Sequence, residues 1–438
     1  MIRFFRNGRP ILVLLVIMLM SFPHSALAKK GPPPKKAEPV HAGKKTKAGE
    51  PPQPSASQST AKDALHCDAK AAVLMDALTG QVLYEQDPEL KIPPASFVKV
   101  MTLYIIYDAI RSGQLKKDDL VTVSERAWKR GYKTDSSKMF INLGERVKVE
   151  DLMKGVAIAS GNDACVALAE HLTGSEEAFV SKMNEKAKLL GLNNSQFRNS
   201  DGLPAEGQYV TAMDMATLAR RYIEDHPESL ALHSQTEFEY NGIRQGNRNV
   251  LLYKNIGVDG LKTGHIAESG YHLVATGKRD GQRMIAVVMG CEKFKTRAPE
   301  AQKLLEYGFR NFATVEAIKK GAAFGPIKVK RGKLKEVGLL AAEDVRVTVP
   351  KSQEKSVSAT PQLPESVVAP IKKGQVLAKA LVQSEGKMVK EVGLLAATDI
   401  EKSLLPPLPI LIGGIVGLGV LSFVVFWFFR RHQRKKYA

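Results

Sequence analysis

Apolar and polar positions along this chain change period several times, and each change marks an element. Ile11 to Met20 is a short apolar run behind a basic start. Residues 71–76 and 81–85, set around Leu78-Thr79-Gly80, read as two strands joined by a turn. Lys91-Ile-Pro-Pro-Ala-Ser96-Phe-Val-Lys99 then runs into Val100-Met-Thr-Leu-Tyr-Ile-Ile106. Its apolar residues cover every side, which predicts a buried helix started by Pro93-Pro94. Lys129 to Ser137 is polar and reads as a loop overhanging a site. A helical stretch opens at Val149, pauses at Ser160-Gly161-Asn162-Asp163, resumes through Ala164–Ala169 and continues in helical patterns to about residue 231. The period then falls to two. Residues 258–264, 271–277 and 284–290, the last pair joined by Asp280-Gly281, predict an antiparallel meander. Pro299 to Phe312 reads as an amphipathic helix anchored by Leu304, Leu305, Tyr307 and Phe309.

Residues 316–401 form a separate β pattern, in which Lys335-Glu-Val-Gly-Leu-Leu-Ala-Ala342 recurs unchanged as Lys390 to Ala397. Turns between Pro350 and Pro370 are expected to separate the copies. No nucleophile or metal cluster falls in this unit, so it reads as a small sandwich serving as a stalk or contact module. Leu408 to Phe429 is 22 uncharged residues, enough at about 1.5 Å per residue to cross a hydrocarbon core of about 30 Å. The pattern therefore predicts an α+β chain organised as follows: a leader over 1–28 with cleavage after Ala26-Leu-Ala28, an arm over 29–62, a first folded domain over 63–315, a β domain over 316–401, a membrane helix over 408–429 and a basic tail over 430–438.

Composition changes this picture in two respects. The net charge of +19 at pH 7 would suggest nucleic acid. Fourteen of those charges, however, lie on Arg3, Arg6 and Arg9, in the arm and in Arg430 to Lys436, which leaves about +5 for the folded body. No basic stripe with interleaved aromatics remains, so nucleic acid is discounted. The arm is rich in Lys, Pro, Ala, Gly and Ser and cannot form a core; it reads as a solvated spacer or as a contact to anionic surfaces. The basic tail places the C-terminus in the cytoplasm and the folded domains outside. Gly413 and Gly417 form a small-residue pair that would serve helix self-association. Three cysteines, Cys67, Cys165 and Cys291, lack metal-ligand spacing, and their odd number leaves at least one free thiol or an intermolecular link. No metal or cofactor is expected.

The candidate chemistry begins with Ser96 and Lys99, which three-residue spacing places on one helix face. Ser59/Lys62, Ser352/Lys355 and Ser384/Lys387 have the same spacing in polar surroundings. What separates Ser96/Lys99 is downstream: Ser160-Gly161-Asn162 and Lys262-Thr263-Gly264 each occur once. Penicillin-binding proteins and class A β-lactamases carry this ordered set. No Gly-x-Ser-x-Gly elbow for a hydrolase-type triad is present.

With these motifs the chain resembles the low-molecular-weight penicillin-binding proteins, serine-type D-alanyl-D-alanine carboxypeptidases of peptidase family S11. Ser137-Lys-Met-Phe-Ile-Asn-Leu-Gly144, Ala159 to Cys165, Gln208 to Ala216, Gly260 to His265 and Gln302 to Phe309 are also similar to that family. The resemblance covers about residues 65–401. It implies a β-lactamase/transpeptidase-like catalytic domain with a C-terminal all-β domain. It also implies removal of the terminal D-alanine from peptidoglycan stem pentapeptides through an acyl-enzyme on Ser96, with β-lactam antibiotics as covalent inhibitors. Lys99 is then the base and Ser160 the proton relay. Asn162, Lys262, Thr263 and Gly264 bind substrate, and the N–H groups of Ser96 and His265 form the oxyanion hole. Arg297 is either a carboxylate partner or a surface residue at a helix start. The place implied is the outer face of a bacterial cytoplasmic membrane. D,D-endopeptidase action on cross-links, β-lactamase action and a catalytically inactive wall-binding role are the alternatives; no Glu-x-x-Leu-Asn element for fast deacylation stands between Asn162 and Lys262. Two departures stand out. Asp201 precedes Gly202-Leu203 where relatives often carry His, and a spanning helix replaces an amphipathic one. Cys165, three residues after Asn162, reads as a small buried residue or as a thiol whose modification obstructs the site.

Overall fold

A computed structural model describes residues 65–132, 136–404 and 408–436. The expected leader and arm lie outside these residues. The scaffold is a five-stranded antiparallel sheet in the order Val82–Gln86, Ala71–Asp76, Gln282–Cys291, Gly270–Arg279, Val258–Ile266. The first hairpin thus pairs with the last strand of the meander, Val73 opposite Val287. Side chains alternate across a strand, and here both faces are covered. Val73, Met75, Ile285, Val287 and Met289 join the helical core on one face. Leu74, Met284, Ala286 and Val288 pack with Ala301, Leu304, Leu305 and Phe309 of the helix Arg297–Asn311 on the other. Two-sided burial explains why these strands read as continuous apolar runs.

The helical layer is led by Val98–Arg111, whose first turn is the 3-10 segment Ala95–Phe97. Around it stand Asn162–Thr173, Glu176–Leu189 and Ala212–Asp225. Ser175 and Thr211 cap the latter two by accepting the N–H of Ala178 and Asp214. One expectation fails here. Part of the supposed loop from Lys129 is helical, because Glu125–Tyr132 forms two turns whose Ala127 and Gly131 are buried. The helix is only eight residues long and mostly charged, so its inward face, to which Trp128 adds a half-buried side chain, is too short to set a period. Residues 133–135 of that segment lie outside the described residues. A charged hairpin, Glu237–Tyr240 with Ile243–Gly246, was likewise not foreseen.

The helix expected from Pro299 runs over Arg297–Asn311, and Phe312 already begins a strand. From there the chain builds a two-stranded sheet, Phe312–Ile318 with Val345–Pro350, and a six-stranded sheet. The latter runs Ser358–Gln362, Val376–Ser384, Lys387–Ala396, Glu336–Ala341, Ala323–Lys330, Ser366–Val368. Their shared core includes Ile318, Val337, Leu339, Val347, Val382 and Leu394. The stretch read as turns between Pro350 and Pro370 contains a 3-10 helix and two of these strands. The two copies of the octamer occupy adjacent antiparallel strands, with Leu339 opposite Ala396, Leu340 opposite Leu395 and Ala341 opposite Leu394.

The two sheet systems are joined through Asp76, a buried carboxylate. One oxygen accepts the N–H groups of Leu78 and Thr79 at 2.9 and 3.0 Å. The other accepts from Gln282 Nε2 at 3.1 Å and from Thr314 Oγ1 at 2.5 Å. Leu408–Lys436 is a single helix whose stretch Ile410–His432 has a mean hydropathy of 2.4, long and apolar enough to cross a membrane.

Candidate active site

Between the sheet edge Val258–Ile266 and the helical layer lies a cleft of about 370 Å³. Ser96, Ser137, Ser160, Asn162, Thr263, Gly264, His265 and Arg297 line it, with Asp201, Arg248, Tyr271 and Phe294. Every residue expected at the site is therefore here except the two lysines, which stand behind the lining: Lys99 is 0% and Lys262 3% exposed.

Ser96 sits in the 3-10 turn that leads into the helix Val98–Arg111. Two glycines let the rest of the site close on it. A Cβ on Gly202, whose φ is +86°, would stand 1.8 Å from Ala95 O. One on Gly264 would press on Pro94 O at 3.3 Å and on Ala95 Cβ at 3.4 Å. Ser160 follows a five-residue π-helical segment, Gly155–Ala159, in the left-handed conformation (φ 62°, ψ 31°). Such backbone is uncommon for serine and clusters at functional sites. It directs Ser160 Oγ to 3.1 Å from Ser96 Oγ.

Lys99 Nζ has three neighbours: Ser96 Oγ at 3.0 Å, Asn162 Oδ1 at 2.7 Å and the carbonyl oxygen of Asp201 at 2.5 Å. The last two only accept hydrogen bonds. A neutral amine has two hydrogens and one lone pair, so satisfying both acceptors leaves the lone pair facing the Ser96 hydroxyl. Burial pushes the Lys99 pKa below its ordinary value and Arg248 adds to this, while Cys165, Asp201 and Asp163 oppose it. Burial also holds Lys262 well below its ordinary range, and Lys99, Arg248 and Arg297 nearby lower it further.

Arg297 begins its helix, as one reading allowed, but it is only 4% exposed and so is not a surface residue. Its guanidinium reaches Gly264 O and Arg248 O, each at 3.4 Å, and lies 4.7 Å from the Phe294 ring centroid. Burial brings its pKa down to about 10. Cys165 is fully buried with its thiol pushed up to about 12, which favours the small buried residue over a reactive thiol. Cys67 and Cys291 are likewise free and buried.

Four residues around the site were not foreseen. Arg248 donates to Ser137 Oγ at 2.5 Å; its only signal is a polar run, Gln245 to Asn249, shortly before the Lys262 strand. Asp163 accepts from the N–H groups of Met139, Phe140 and Ala164 at 2.8 to 3.0 Å and so holds the Ser137 segment. Asn162 N–H also donates to Ser137 O at 2.9 Å. Glu176, a buried carboxylate, accepts from Ser200 N–H, Ser200 Oγ, Arg126 and Arg130 at 3.0, 2.7, 2.8 and 2.8 Å. Arg130 also pairs with the Asp201 carboxylate at 3.3 Å. Asp201 is therefore no unoccupied departure at the rim: its side chain is tied to Arg130 and its carbonyl oxygen faces Lys99.

A family model for D-alanyl-D-alanine carboxypeptidase, peptidase S11, matches residues 57–293. The chain belongs to this family. A second model, the C-terminal domain of penicillin-binding protein 5, matches residues 312–402. Among relatives, D-alanyl-D-alanine carboxypeptidase DacC of Escherichia coli (strain K12) is 44% identical over 339 residues, covering 76% of this chain and 85% of its own length. Penicillin-binding protein 5 of Haemophilus influenzae has a similar structure, with a TM-score of 0.73 at 39% identity over 77% of this chain and 99% of that one. The ampicillin-bound form of penicillin-binding protein D2 from Listeria monocytogenes matches with a TM-score of 0.51 at 30% identity, over 56% of this chain and 98% of that one. The expected α+β architecture of a transpeptidase-like domain followed by an all-β domain is that of this family.

Proposed function

We propose that this S11 family member is a serine-type D-Ala-D-Ala carboxypeptidase in which Ser96, Lys99 and Ser160 carry the chemistry. The observation that carries the reading is the set of three neighbours around Lys99 Nζ, two of them obligate acceptors and the third the Ser96 hydroxyl. Neutral Lys99 takes the proton as Ser96 Oγ attacks the carbonyl between the two terminal D-alanines. The oxyanion is met by the N–H groups of Ser96 and His265, a contribution of about 2.7–4 kcal/mol per donor. The proton passes through Ser160 to the departing amine, D-alanine leaves, and water attacks the acyl-enzyme with Lys99 again as base. Asn162 orients the substrate amide. Thr263, Gly264 and Arg297 receive the terminal carboxylate with Lys262 behind them, which restricts cleavage to the chain end.

Penicillin acylates the same serine and stays, in keeping with the lack of a Glu-x-x-Leu-Asn element for fast deacylation between Asn162 and Lys262. The helix Leu408–Lys436 crosses the cytoplasmic membrane once, with the catalytic domain outside and Arg430 to Lys436 inside. Gly413 and Gly417 lie one turn apart on it and offer a face for self-association.

The test is labelled penicillin on the detergent-solubilised protein, with product analysis on a stem pentapeptide and on a cross-linked dimer. A stable adduct lost in Ser96→Ala, with D-alanine released from the pentapeptide, is expected. Rapid turnover of free drug would identify a β-lactamase, and cleavage of the dimer alone an endopeptidase. D-alanine release that survives in Ser96→Ala would end the catalytic reading.

A further inference from the structure

The charge of the folded body is unevenly placed. Residues 316–404 hold 16 Lys and Arg against 10 Asp and Glu, whereas residues 63–315 are close to neutral. Part of this excess gathers where the β domain hands the chain on to the apolar helix. The turn after the strand Ala323–Lys330 is clamped on two sides. Ala369 N–H donates to Lys330 O at 3.0 Å, and on the other flank Ser403 N–H donates to Arg331 O at 2.8 Å and Lys333 N–H to Glu401 O at 2.9 Å. Gly332 and Lys402 form a β-bridge. These contacts bring Lys330, Arg331, Lys333 and Lys402 to one end of the domain, all exposed. Lys333 is matched by Glu401; the other three make no ion pair among the described residues. Set among them are the exposed apolar side chains Leu334, Val368 and Leu404, at 54, 58 and 95%.

We infer that this end of the β domain is a membrane-docking face for anionic phospholipid headgroups, with Leu334, Val368 and Leu404 entering the interface beneath the cations. The inference rests on the reading of Leu408–Lys436 as a membrane span. Chain length supplies the main argument. From Leu404 to Leu408 is four residue steps, which reach at most about 14 Å even when fully extended. The end bearing Lys330, Arg331 and Lys402 is thereby kept near the bilayer surface, within about two Debye lengths of about 8 Å each at physiological salt. Exposed cations interleaved with exposed apolar groups suit such a surface, where the cations meet phosphate and the apolar groups meet the acyl boundary. Docking there would fix the tilt of the β domain and, through the Asp76 junction, the direction in which the catalytic cleft points.

The test uses the full chain reconstituted in nanodiscs, with Leu334→Cys carrying an environment-sensitive fluorophore; the three native thiols are buried. Blue-shifted emission quenched by lipid-borne nitroxide is expected in phosphatidylglycerol discs, weaker insertion in phosphatidylcholine discs, and reversal by 0.5 M salt. Combining Lys330→Glu, Arg331→Glu and Lys402→Glu should abolish the shift while labelled penicillin still marks the protein. Emission that ignores lipid charge and salt overturns the docking face, whatever the folding of the triple variant. Failure of the chain to enter discs at all would instead overturn the span.

Discussion

Replacing Glu176 with alanine tests whether the base is positioned from a distance. Glu176 touches no cleft atom, yet its carboxylate holds the N–H and hydroxyl of Ser200, next to the Asp201 carbonyl that accepts from Lys99. Removing it strips two buried Ser200 donors of their acceptor, at about 1–3 kcal/mol each. It also takes one carboxylate from two guanidinium groups. Breaking a buried ion pair costs about 3–5 kcal/mol when it leaves a charge unpaired, but Arg126 retains Glu177 at 2.8 Å and Arg130 retains Asp201 at 3.3 Å, so this penalty does not arise. The expected loss is therefore set by the two Ser200 donors, about 2–6 kcal/mol, or roughly 4–24 °C in Tm for a domain of this size. Calorimetry measures the first effect, and the rate of labelled-penicillin acylation well below the transition measures the second. Glu176→Gln, which keeps one acceptor for Ser200, should lose less on both counts. A loss under about 1 kcal/mol would refute the accounting. Wild-type acylation in a clearly destabilised Glu176→Ala would show that the Ser200-Asp201 segment does not position the amine.

Two further outcomes follow from charge and burial. Asp201 favours the charged form of Lys99, so Asp201→Asn should move the acid limb of the acylation pH profile to lower pH, while the main-chain acceptor of Lys99 stays in place; an unmoved limb would mean that Asp201 is neutral in the working enzyme. His233 is buried and its pKa is held at about 3, chiefly by desolvation. Below its ordinary value of 6.5 the unfolded chain binds a proton that the folded chain refuses, so stability falls with pH down to about 3. Unfolding free energies from urea titrations of wild type and His233→Asn should therefore converge by about 2 kcal/mol between pH 6.5 and 4.5, and parallel curves would contradict this.

The parts of the site legible in the sequence are those whose geometry is local. Ser96 and Lys99 are one helical turn apart, and Lys262, Thr263 and Gly264 share one strand, so spacing alone brings each group together. The meander was legible because its central strands are buried and its last turn is Asp-Gly. The network of Arg130, Glu176 and Asp201 was not, since its members act on one another across 25 to 71 positions; Arg130 and Glu176 alone look like solvated charges, and Asp201 stood out only as a departure from relatives. Asp163 was quoted in a motif without a role, because accepting from the Met139 segment is a property of the folded loop. The Glu125–Tyr132 helix was misread for a different reason: its inward face, Ala127 and Gly131 with Trp128 half-buried against the core, spans only two turns among charged residues.

The paired octamers of the β domain carry a consequence of their own. Leu340 faces its own counterpart Leu395, and Leu339 and Ala341 face the counterparts of each other, so a local two-fold axis passes between the central leucines. Burial obeys it too: Val337 and Val392 are 2 and 3% exposed, Leu339 and Leu394 1 and 0%, Ala341 and Ala396 3 and 2%. This is the self-complementary contact of an isologous dimer, closed within a single chain. Either octamer fits the other's place, so a neighbouring copy of the same polypeptide offers an equally good partner during folding. Exchange of these strands between chains is the error this symmetry invites, and the distinct strands on either flank are what hold each octamer to its own chain.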